Sequence, residues 1–348
     1  MTSLPAWRSG AGVSTHSCTL SVIVPAYNEA EVIEVFHERL IAVLAGAGVT
    51  FEIIYADDGS TDATPRILAT LRAQDSRVGI LRLSRNFGKE QAMSAGLKHA
   101  RGAVIVVIDA DLQDPPELIP RMLAAWRAGA DVVDMRRRSR AGESWLKRTT
   151  AHLFYRAINR LSEVPIPHDT GDFRLLSRRA VDVLNQMPER NRFMKGLFAW
   201  VGFEHTSLVY DREPRAAGTS KWHYWKLWNF ALEGITGFSV APLKVASYVG
   251  MFTALLSFSY AAYVLVKTLV SGDPVPGFPT LIVVIAFLGG LQLMAIGILG
   301  EYVGRLFLET KRRPLYVIDE FRSPDLQLGA RPRSGGVERA PADVALGI

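Results

Sequence analysis

The sequence has a single cysteine, Cys18, among its 348 residues. An intrachain disulfide needs two cysteines, so a disulfide-stabilised scaffold is excluded and a reducing compartment is favoured. The first 18 residues contain no apolar core of a signal peptide, and we expect residues 1–18 to form a disordered extension without a cleaved leader. The net charge of +6 is modest: it suits anionic headgroups and phosphorylated substrates, and we expect no nucleic-acid partner.

Charged residues are missing from two long stretches near the C-terminus. Val245–Val266 contains none over 22 positions, and Pro274–Gly300 contains none over 27 positions. About 20 apolar residues are enough to span a bilayer. A buried helix of a soluble protein is the alternative, but at this length it would normally show a polar face. We therefore predict transmembrane helices over residues 241–268 and 278–304.

Lysine and arginine are absent from residues 268–304, whereas three cations follow at Lys311, Arg312 and Arg313. Cytoplasmic loops carry an excess of such residues, so the N-terminal region and the C-terminal segment, residues 305–348, are expected on the cytoplasmic side. Lys267 is an exception that can snorkel to the interface. We expect the C-terminal segment to end in a flexible tail.

Tryptophan is concentrated just before the first apolar stretch. Trp222, Trp225 and Trp228 follow one another at a spacing of three residues, with Lys221 and Lys226 beside them. This pattern predicts an amphipathic helix over residues 219–240 that lies along the membrane surface. A helix packed against the globular domain is the alternative.

Residues 19–218 are expected to form an α/β domain, because short apolar runs alternate there with amphipathic segments. Helices are expected from about residue 29 to 44, then after the Asp57–Ser60 motif up to about residue 73, and from about residue 88 to 100. The predicted strands are Leu20–Pro25, Phe51–Tyr55, Val78–Leu83, Ala103–Ile108 and Asp131–Asp134. Such a chain forms a mainly parallel, doubly wound sheet, which binds ligands at the carboxyl ends of its strands.

Two carboxylates, Asp109 and Asp111, come directly after the fourth of these runs. Carboxylates at the end of a strand can hold a hard divalent cation that also binds a diphosphate. Exposed turn and helix-capping residues would give the same short pattern, so the triplet alone is weakly specific.

The other early strands also end in polar motifs. Pro25–Glu29 ends the first, Asp57–Asp62 the second and Ser84–Lys89 the third. Asp58 can accept hydrogen bonds from a nucleobase or ribose, and Gly59 permits a tight turn. Each motif alone has the chemistry of a turn, but their succession at strand ends favours a ligand site.

Together the motifs P-A-Y-N-E, D-D-G-S-T-D, R-N-F-G-K and D-A-D-L-Q-D-P-P resemble those of family 2 glycosyltransferases with the GT-A fold. The chain also resembles a narrower group, the polyprenyl-phosphate glycosyltransferases, which includes dolichol-phosphate mannose synthases and bactoprenol glucosyltransferases. That similarity rests on Thr170–Leu175, on Gly218–Trp222 and on the two apolar stretches. The resemblance covers roughly residues 19–318.

The resemblance implies a role for each matching residue. The nucleotide-binding residues would be Pro25, Tyr27, Glu29, Asp57, Asp58, Asn86, Lys89 and Asp109. Mg²⁺ or Mn²⁺ would be held by Asp109, Asp111 and Gln113, and Ser220 and Lys221 would belong to a loop that closes over the donor. Arg137 and Arg148 would bind the phosphate of the lipid acceptor. A solvated basic face is the alternative for these arginines, because the match across residues 136–150 is loose.

Catalysis would depend on Asp111 and on Asp172, which stands where ordinary inverting transferases place a base. A phosphate monoester has its second pKa at about 6 and is already ionised, so we expect Asp172 to orient a substrate more than to remove a proton. The outcome would be inversion by direct displacement.

The activity implied is transfer of a hexose from a nucleotide sugar, UDP-glucose in the first place, to undecaprenyl phosphate at a bacterial inner membrane. GDP-mannose and UDP-aminoarabinose are alternative donors. A processive polysaccharide synthase is a further alternative, although its Q-x-x-R-W motif is missing from the sequence. A non-catalytic membrane scaffold is another, and a homotetramer is implied by the bactoprenol branch alone.

Overall fold

The computed structural model describes residues 18–137, 170–187, 189–190, 192, 194–210, 241–271 and 277–326. The strands are β1 (Cys18–Ala26), β2 (Phe51–Asp57), β3 (Val78–Leu83), β4 (Gly102–Val107), β5 (Val132–Arg137), β6 (Thr170–Ser177), β7 (His205–Tyr210) and β8 (Ile318–Arg322). The α-helices are α1 (Ile33–Gly46), α2 (Thr64–Gln74), α3 (Lys89–His99), α4 (Ile119–Arg127), α5 (Arg178–Gln186), α6 (Met194–Trp200), α7 (Ala241–Ser271) and α8 (Phe278–Thr310). One 3₁₀ turn, Pro116–Leu118, leads into α4.

The strands form one sheet in the order β7-β5-β6-β4-β1-β2-β3-β8. Neighbouring strands run parallel in the pairs β1–β2, β1–β4, β2–β3 and β5–β7, and antiparallel in β4–β6, β5–β6 and β3–β8. The chain builds outward from β1 to β3 and then returns to place β4 on the other side of β1. The strand order therefore reverses between β1 and β4, which is where open α/β sheets bind ligands.

Both faces of the sheet are covered, which explains why the central strands are mostly apolar on both of their sides. Every residue of β2 is buried. Leu20 and Val22 of β1 pack on the face that carries α1, whereas Ile23 faces α3. Helix α3 approaches β1 closely, since a Cβ atom on Gly96 would lie 2.4 Å from Cγ2 of Ile23.

The mainly parallel α/β fold predicted from the sequence is confirmed, and the five predicted strands correspond to β1–β5. Helix α1 begins at Ile33 rather than near residue 29: Asn28 has a left-handed backbone, and the amides of Asn28 and Glu29 bind Ser60 and Thr64 of the next loop. Strands β6, β7 and β8 were not predicted, and of these β6 and β8 run antiparallel to their neighbours. The amphipathic helix expected over residues 219–240 lies outside the described residues.

The two apolar stretches form the long helices α7 and α8, of 31 and 33 residues. Within the described residues, Phe287–Thr310 is long and apolar enough to cross a membrane by length and composition. Large apolar side chains project from both helices: Phe252 is 64% exposed and Leu293 is 72% exposed.

After α8 the chain returns to the sheet within seven residues and adds β8 beside β3. The return is anchored beyond the strand as well. Arg101 Nη2 donates to the carbonyl oxygen of Pro324 at 2.7 Å, and the Asp325 amide donates to the Ser76 carbonyl oxygen at 2.7 Å. The part of the C-terminal segment nearest the helices is therefore built into the α/β domain, although the sequence suggested only a segment with a flexible tail.

Candidate active site

The motifs after β1 and β2 are tied to each other at the carboxyl edge of the sheet. The Thr61 amide donates to Asn28 Oδ1 at 2.9 Å, and the Asn28 amide donates to Ser60 Oγ at 2.9 Å. Asn28 has a φ of +56°, a left-handed conformation that asparagine adopts more readily than most residues. Two loops predicted to share one ligand site thus form one rigid unit.

Asp57 ends β2 as a fully buried carboxylate. Its Oδ1 accepts a hydrogen bond from the Ser60 amide at 3.0 Å, and its Oδ2 lies 3.5 Å from Arg82 Nε. Burial raises the pKa of Asp57, and the Ser60 hydrogen bonds and Arg82 oppose that rise. This geometry holds the turn after β2, and the nucleotide-binding role of Asp57 stays a prediction.

Asp58 binds the backbone of the motif that follows β3. Its Oδ1 accepts from the Phe87 amide at 2.7 Å and its Oδ2 from the Gly88 amide at 2.9 Å. Burial raises the pKa of Asp58, and these two hydrogen bonds lower it again. The carboxylate therefore fixes the loop that leads into α3. The role predicted from the sequence, binding of a base or ribose, would have to use the remaining lone pairs.

Gly59 is required by the same loop. Its φ is +68°, and a Cβ atom there would lie 2.5 Å from the backbone carbon of Arg85. A side chain at this position would push the loop away, so the glycine lets two successive motifs touch.

Asp109 and Asp172 meet at the first residue of α3. Lys89 Nζ lies 2.7 Å from Asp109 Oδ2 and 2.5 Å from Asp172 Oδ2. Burial disfavours each charge. For Lys89 and Asp172 the attraction outweighs burial: the two carboxylates raise the pKa of Lys89, and Lys89 together with Lys195 holds the pKa of Asp172 below its usual range. For Asp109 burial outweighs the attraction to Lys89, and its pKa is raised. The fold thus brings together three residues that are far apart in the sequence. Each of them had been predicted separately as a site residue.

Asp111 and Gln113 lie on either side of a strained residue, Leu112. Leu112 between them has a φ of +59°, which is unusual for a bulky residue, and the Gln113 amide donates to Asp111 Oδ1 at 3.1 Å. Backbone strain of this kind is concentrated at functional sites. The turn sets the direction of both side chains that were predicted as metal ligands.

The donor set fits Mg²⁺ or Mn²⁺. Carboxylate and amide oxygens are hard ligands, and Mg²⁺ is commonly bound by one or two carboxylates together with substrate phosphates. Asp109 Oδ1 is buried and has no hydrogen-bond partner among the described residues. The described residues contain no group of three His, Cys, Asp or Glu side chains that could hold a metal. Gln113 and the phosphates of a donor would therefore have to complete the coordination.

Three charged residues around Asp172 were not predicted from the sequence. Glu90 is half-buried, and desolvation of its carboxylate, followed by the charge of the nearby Asp172, raises its pKa to about 8. The positive charges of Lys195 and Arg174 lower the pKa of Glu90 and that of Asp172. Arg174 is itself buried, stacks 3.9 Å from the centre of the Phe198 ring and lies 3.4 Å from Asp134. Arg174 stands in the T-G-D-F-R-L motif, which was its only sequence signal.

The remaining predicted residues divide into three groups. Tyr27 and Asn86 are exposed at the same edge of the sheet, and Pro25 is buried in β1. Arg137 ends β5, where its backbone pairs with Tyr210. The predictions for Arg148, Ser220 and Lys221 lie outside the described residues.

Comparison with known proteins agrees with this architecture. Residues 21–184 match the family "Glycosyl transferase family 2", and residues 241–306 match the family "GtrB C-terminal hairpin". A bactoprenol glucosyl transferase of Shigella phage SfV is 48% identical over 299 residues, which are 86% of this chain and 97% of that protein. An uncharacterised glycosyltransferase of Synechocystis is 51% identical over 301 residues, 86% of this chain and 95% of that protein.

The chain therefore belongs to glycosyl transferase family 2, within the group that contains the bactoprenol glucosyl transferases, and it is a glycosyltransferase. Among solved structures, the mannosyltransferase PcManGT from Pyrobaculum calidifontis, in complex with GDP-Man and Mn²⁺, matches with a TM-score of 0.42 and 17% identity, over 86% of this chain and 89% of that chain. We draw no functional conclusion from a similarity of that size.

Proposed function

We propose that the protein transfers glucose from UDP-glucose to a polyprenyl phosphate, undecaprenyl phosphate in a bacterium, at the cytoplasmic face of the membrane. The observation that carries this proposal is the joining of a transferase site to an apolar helical hairpin in one chain. A protein named bactoprenol glucosyl transferase is similar to this chain over 97% of its own length, and residues 241–306 match the hairpin family.

The edge where β1, β2, β3 and β4 end would bind the donor. Asp109, Asp111 and Gln113 would hold Mg²⁺ or Mn²⁺, which when bound would offset the negative charge of the departing nucleoside diphosphate. Lys89, at the start of α3, faces the same place with its side chain 42% exposed. These residues bind and orient the donor and need no proton transfer of their own.

Asp172 would orient the substrates rather than act as a base. Its pKa is held low by Lys89 and Lys195, so it stays ionised and is a weak proton acceptor near neutral pH. The acceptor phosphate is already ionised there, with a second pKa of about 6. Its oxygen can therefore attack the sugar carbon directly, and the α-linked donor would give a β-linked lipid phosphate.

A panel of donors tests the reaction. Purified protein in detergent with undecaprenyl phosphate and Mn²⁺ is expected to move label into the organic phase from UDP-glucose, and EDTA is expected to abolish the transfer. UDP-galactose, UDP-N-acetylglucosamine and GDP-mannose serve as controls in parallel. Transfer from GDP-mannose instead would replace the proposed donor, and failure of every donor to bind or react would favour a scaffold.

The path of the chain supports two membrane crossings. Strands β7 and β8 belong to one sheet, and α7 and α8 lie between them in the chain. Since both strands lie on one side of the membrane, the chain between them must cross it an even number of times. If α8 crosses, a second segment must cross in the opposite direction, and α7 is long enough at about 1.5 Å per residue.

Labelling at two single sites tests this topology. The native Cys18 is buried and gives little background. In spheroplasts, a membrane-impermeant maleimide is expected to label Asp273→Cys directly and Arg312→Cys only after permeabilisation. The same accessibility at both positions would contradict the two-span topology, and the reverse order would invert it.

A further inference from the structure

Asp109, two residues beyond the end of β4, and Asp172, in the neighbouring strand β6, carry like charges close to each other. Strands β4 and β6 pair antiparallel with Val107 opposite Arg174, and the same register two residues further on places Asp109 opposite Asp172. Like charges directly opposite each other destabilise a sheet. Each carboxylate also has a buried Oδ1 without a hydrogen-bond partner among the described residues. The pair therefore needs a cation between its members.

Lys89 supplies that cation from a position that a lysine does not favour. It is the first residue of α3, where the helix macrodipole disfavours positive charge. Its ammonium nevertheless bridges the two carboxylates at 2.7 and 2.5 Å. The loop before it is fixed through the hydrogen bonds from Phe87 and Gly88 to Asp58. The surrounding structure, rather than local helix preference, thus determines where Lys89 lies.

The bridge also occupies Oδ2 of the carboxylate that is expected to bind the metal, and the other oxygen, Oδ1, is buried. An ammonium at 2.7 Å from Asp109 Oδ2 and a divalent cation on the same carboxylate would repel each other across a short distance. A diphosphate would offer Lys89 another anionic partner at the same edge of the sheet.

We propose that Lys89 is a built-in counter-ion of the Asp109–Asp172 pair and that a divalent cation must displace it from Asp109. Lys89 keeps Asp172 and gains the diphosphate when the donor arrives. The divalent cation therefore binds tightly only when the donor is present, and the enzyme binds metal and donor cooperatively. This inference rests on the proposed function, because it takes the donor to be a nucleoside diphosphate sugar.

Binding of Mn²⁺ to the full-length protein in detergent tests the proposal without any turnover. The signal of free Mn²⁺ in electron paramagnetic resonance gives the affinity with and without UDP. We expect wild type to bind Mn²⁺ at least tenfold more tightly in the presence of UDP. Lys89→Met and Lys89→Gln are expected to bind Mn²⁺ alone about tenfold more tightly than wild type, with a smaller gain from UDP.

Two variants serve as controls. Lys89→Arg keeps the positive charge and is expected to behave like wild type, and Lys98→Met removes an exposed lysine further along α3 and should change nothing. The neutral variants should also gain more thermal stability from Mn²⁺ alone than wild type does. Mn²⁺ affinity in both folded neutral variants that is equal to or weaker than that of wild type overturns the proposal.

The two proposals can fail separately. If wild type transfers glucose but the neutral variants do not gain Mn²⁺ affinity, the counter-ion role is wrong and the function stands. If the Mn²⁺ pattern is found but label does not move from UDP-glucose to undecaprenyl phosphate, the donor or acceptor is wrong and the counter-ion role stands.

Discussion

Asp172→Asn is expected to lower the rate of sugar transfer by about 100- to 1,000-fold, the range typical for loss of one preorganised electrostatic group in an active site. Asparagine keeps the size of the side chain but removes the negative charge. Lys89 then loses one of its two carboxylates, which it contacts at 2.5 Å. The loss should fall on kcat, with a much smaller change in the KM for the donor, because the residues after β1 and β2 are untouched.

Initial rates of label transfer at saturating donor measure this effect. Asp182→Asn is the matched control, because Asp182 lies on the nearby helix α5, has a side chain 54% exposed and is paired only with Arg178 at 3.7 Å among the contacts described. That variant should keep the wild-type rate.

The pH profile separates an orienting role from a basic one. The pKa of Asp172 is held low, so its ionisation should leave no step in the rate between pH 6 and 9. Asp172→Asn is therefore expected to lose no step that belongs to residue 172, and a shift of a step near pH 8 would belong to Glu90, whose pKa Asp172 raises. A residual rate that rises with hydroxide concentration only in the variant would instead indicate that Asp172 removes a proton.

Glu52→Ala is expected to lower the free energy of unfolding by about 2–3 kcal/mol, less than the cost of breaking a fully buried ion pair because the Arg101 side chain is 36% exposed and can be hydrated. Glu52 is fully buried in β2. It accepts hydrogen bonds from Ser21 Oγ at 2.6 Å, from the Arg101 amide at 2.7 Å and from Arg101 Nε and Nη2 at 2.9 and 2.8 Å. Alanine would leave all of these donors without their acceptor.

The same substitution should loosen the C-terminal return. Arg101 holds the carbonyl oxygen of Pro324, and a guanidinium without Glu52 would no longer be fixed in that position. Denaturant unfolding in detergent measures the stability, and limited proteolysis near residue 326 measures the release of the segment. Glu31→Ala, at an exposed position before α1, is the control. A loss below about 1 kcal/mol would show that the cluster contributes little.

The features predicted well from the sequence are those that depend on neighbouring residues. Apolar runs such as Val78–Leu83 and the helices between them depend on local patterns, and the motifs stand directly after their strands. The parallel sheet then brings those motifs to one edge without further information. The family resemblance, confirmed by comparison, rests on the same short motifs.

Features that depend on distant partners were missed. Strand β8 has only five residues, and it is a strand because the edge of β3 is available to it. Glu90 and Lys195 belong to the site only because α3 and α6 both lie near Asp172. The hydrogen bonds from both Asp58 oxygens to the backbone of a loop 29 and 30 residues away were not predicted either, and the ligand-binding role of Asp58 stays a prediction. Periodicity within one segment carries no information about such contacts.

The late arrival of β8 sets a time order on biosynthesis. Ile80 of β3 pairs with Arg322, which is synthesised 242 residues later. At about 5–20 residues per second, the outer edge of β3 stays without its partner for roughly 10–50 s, and unpaired strand edges favour aggregation. Both long helices emerge from the ribosome within that interval. The sheet can therefore be completed only after both long helices have been synthesised, so maturation of the α/β domain depends on the segment that follows those helices.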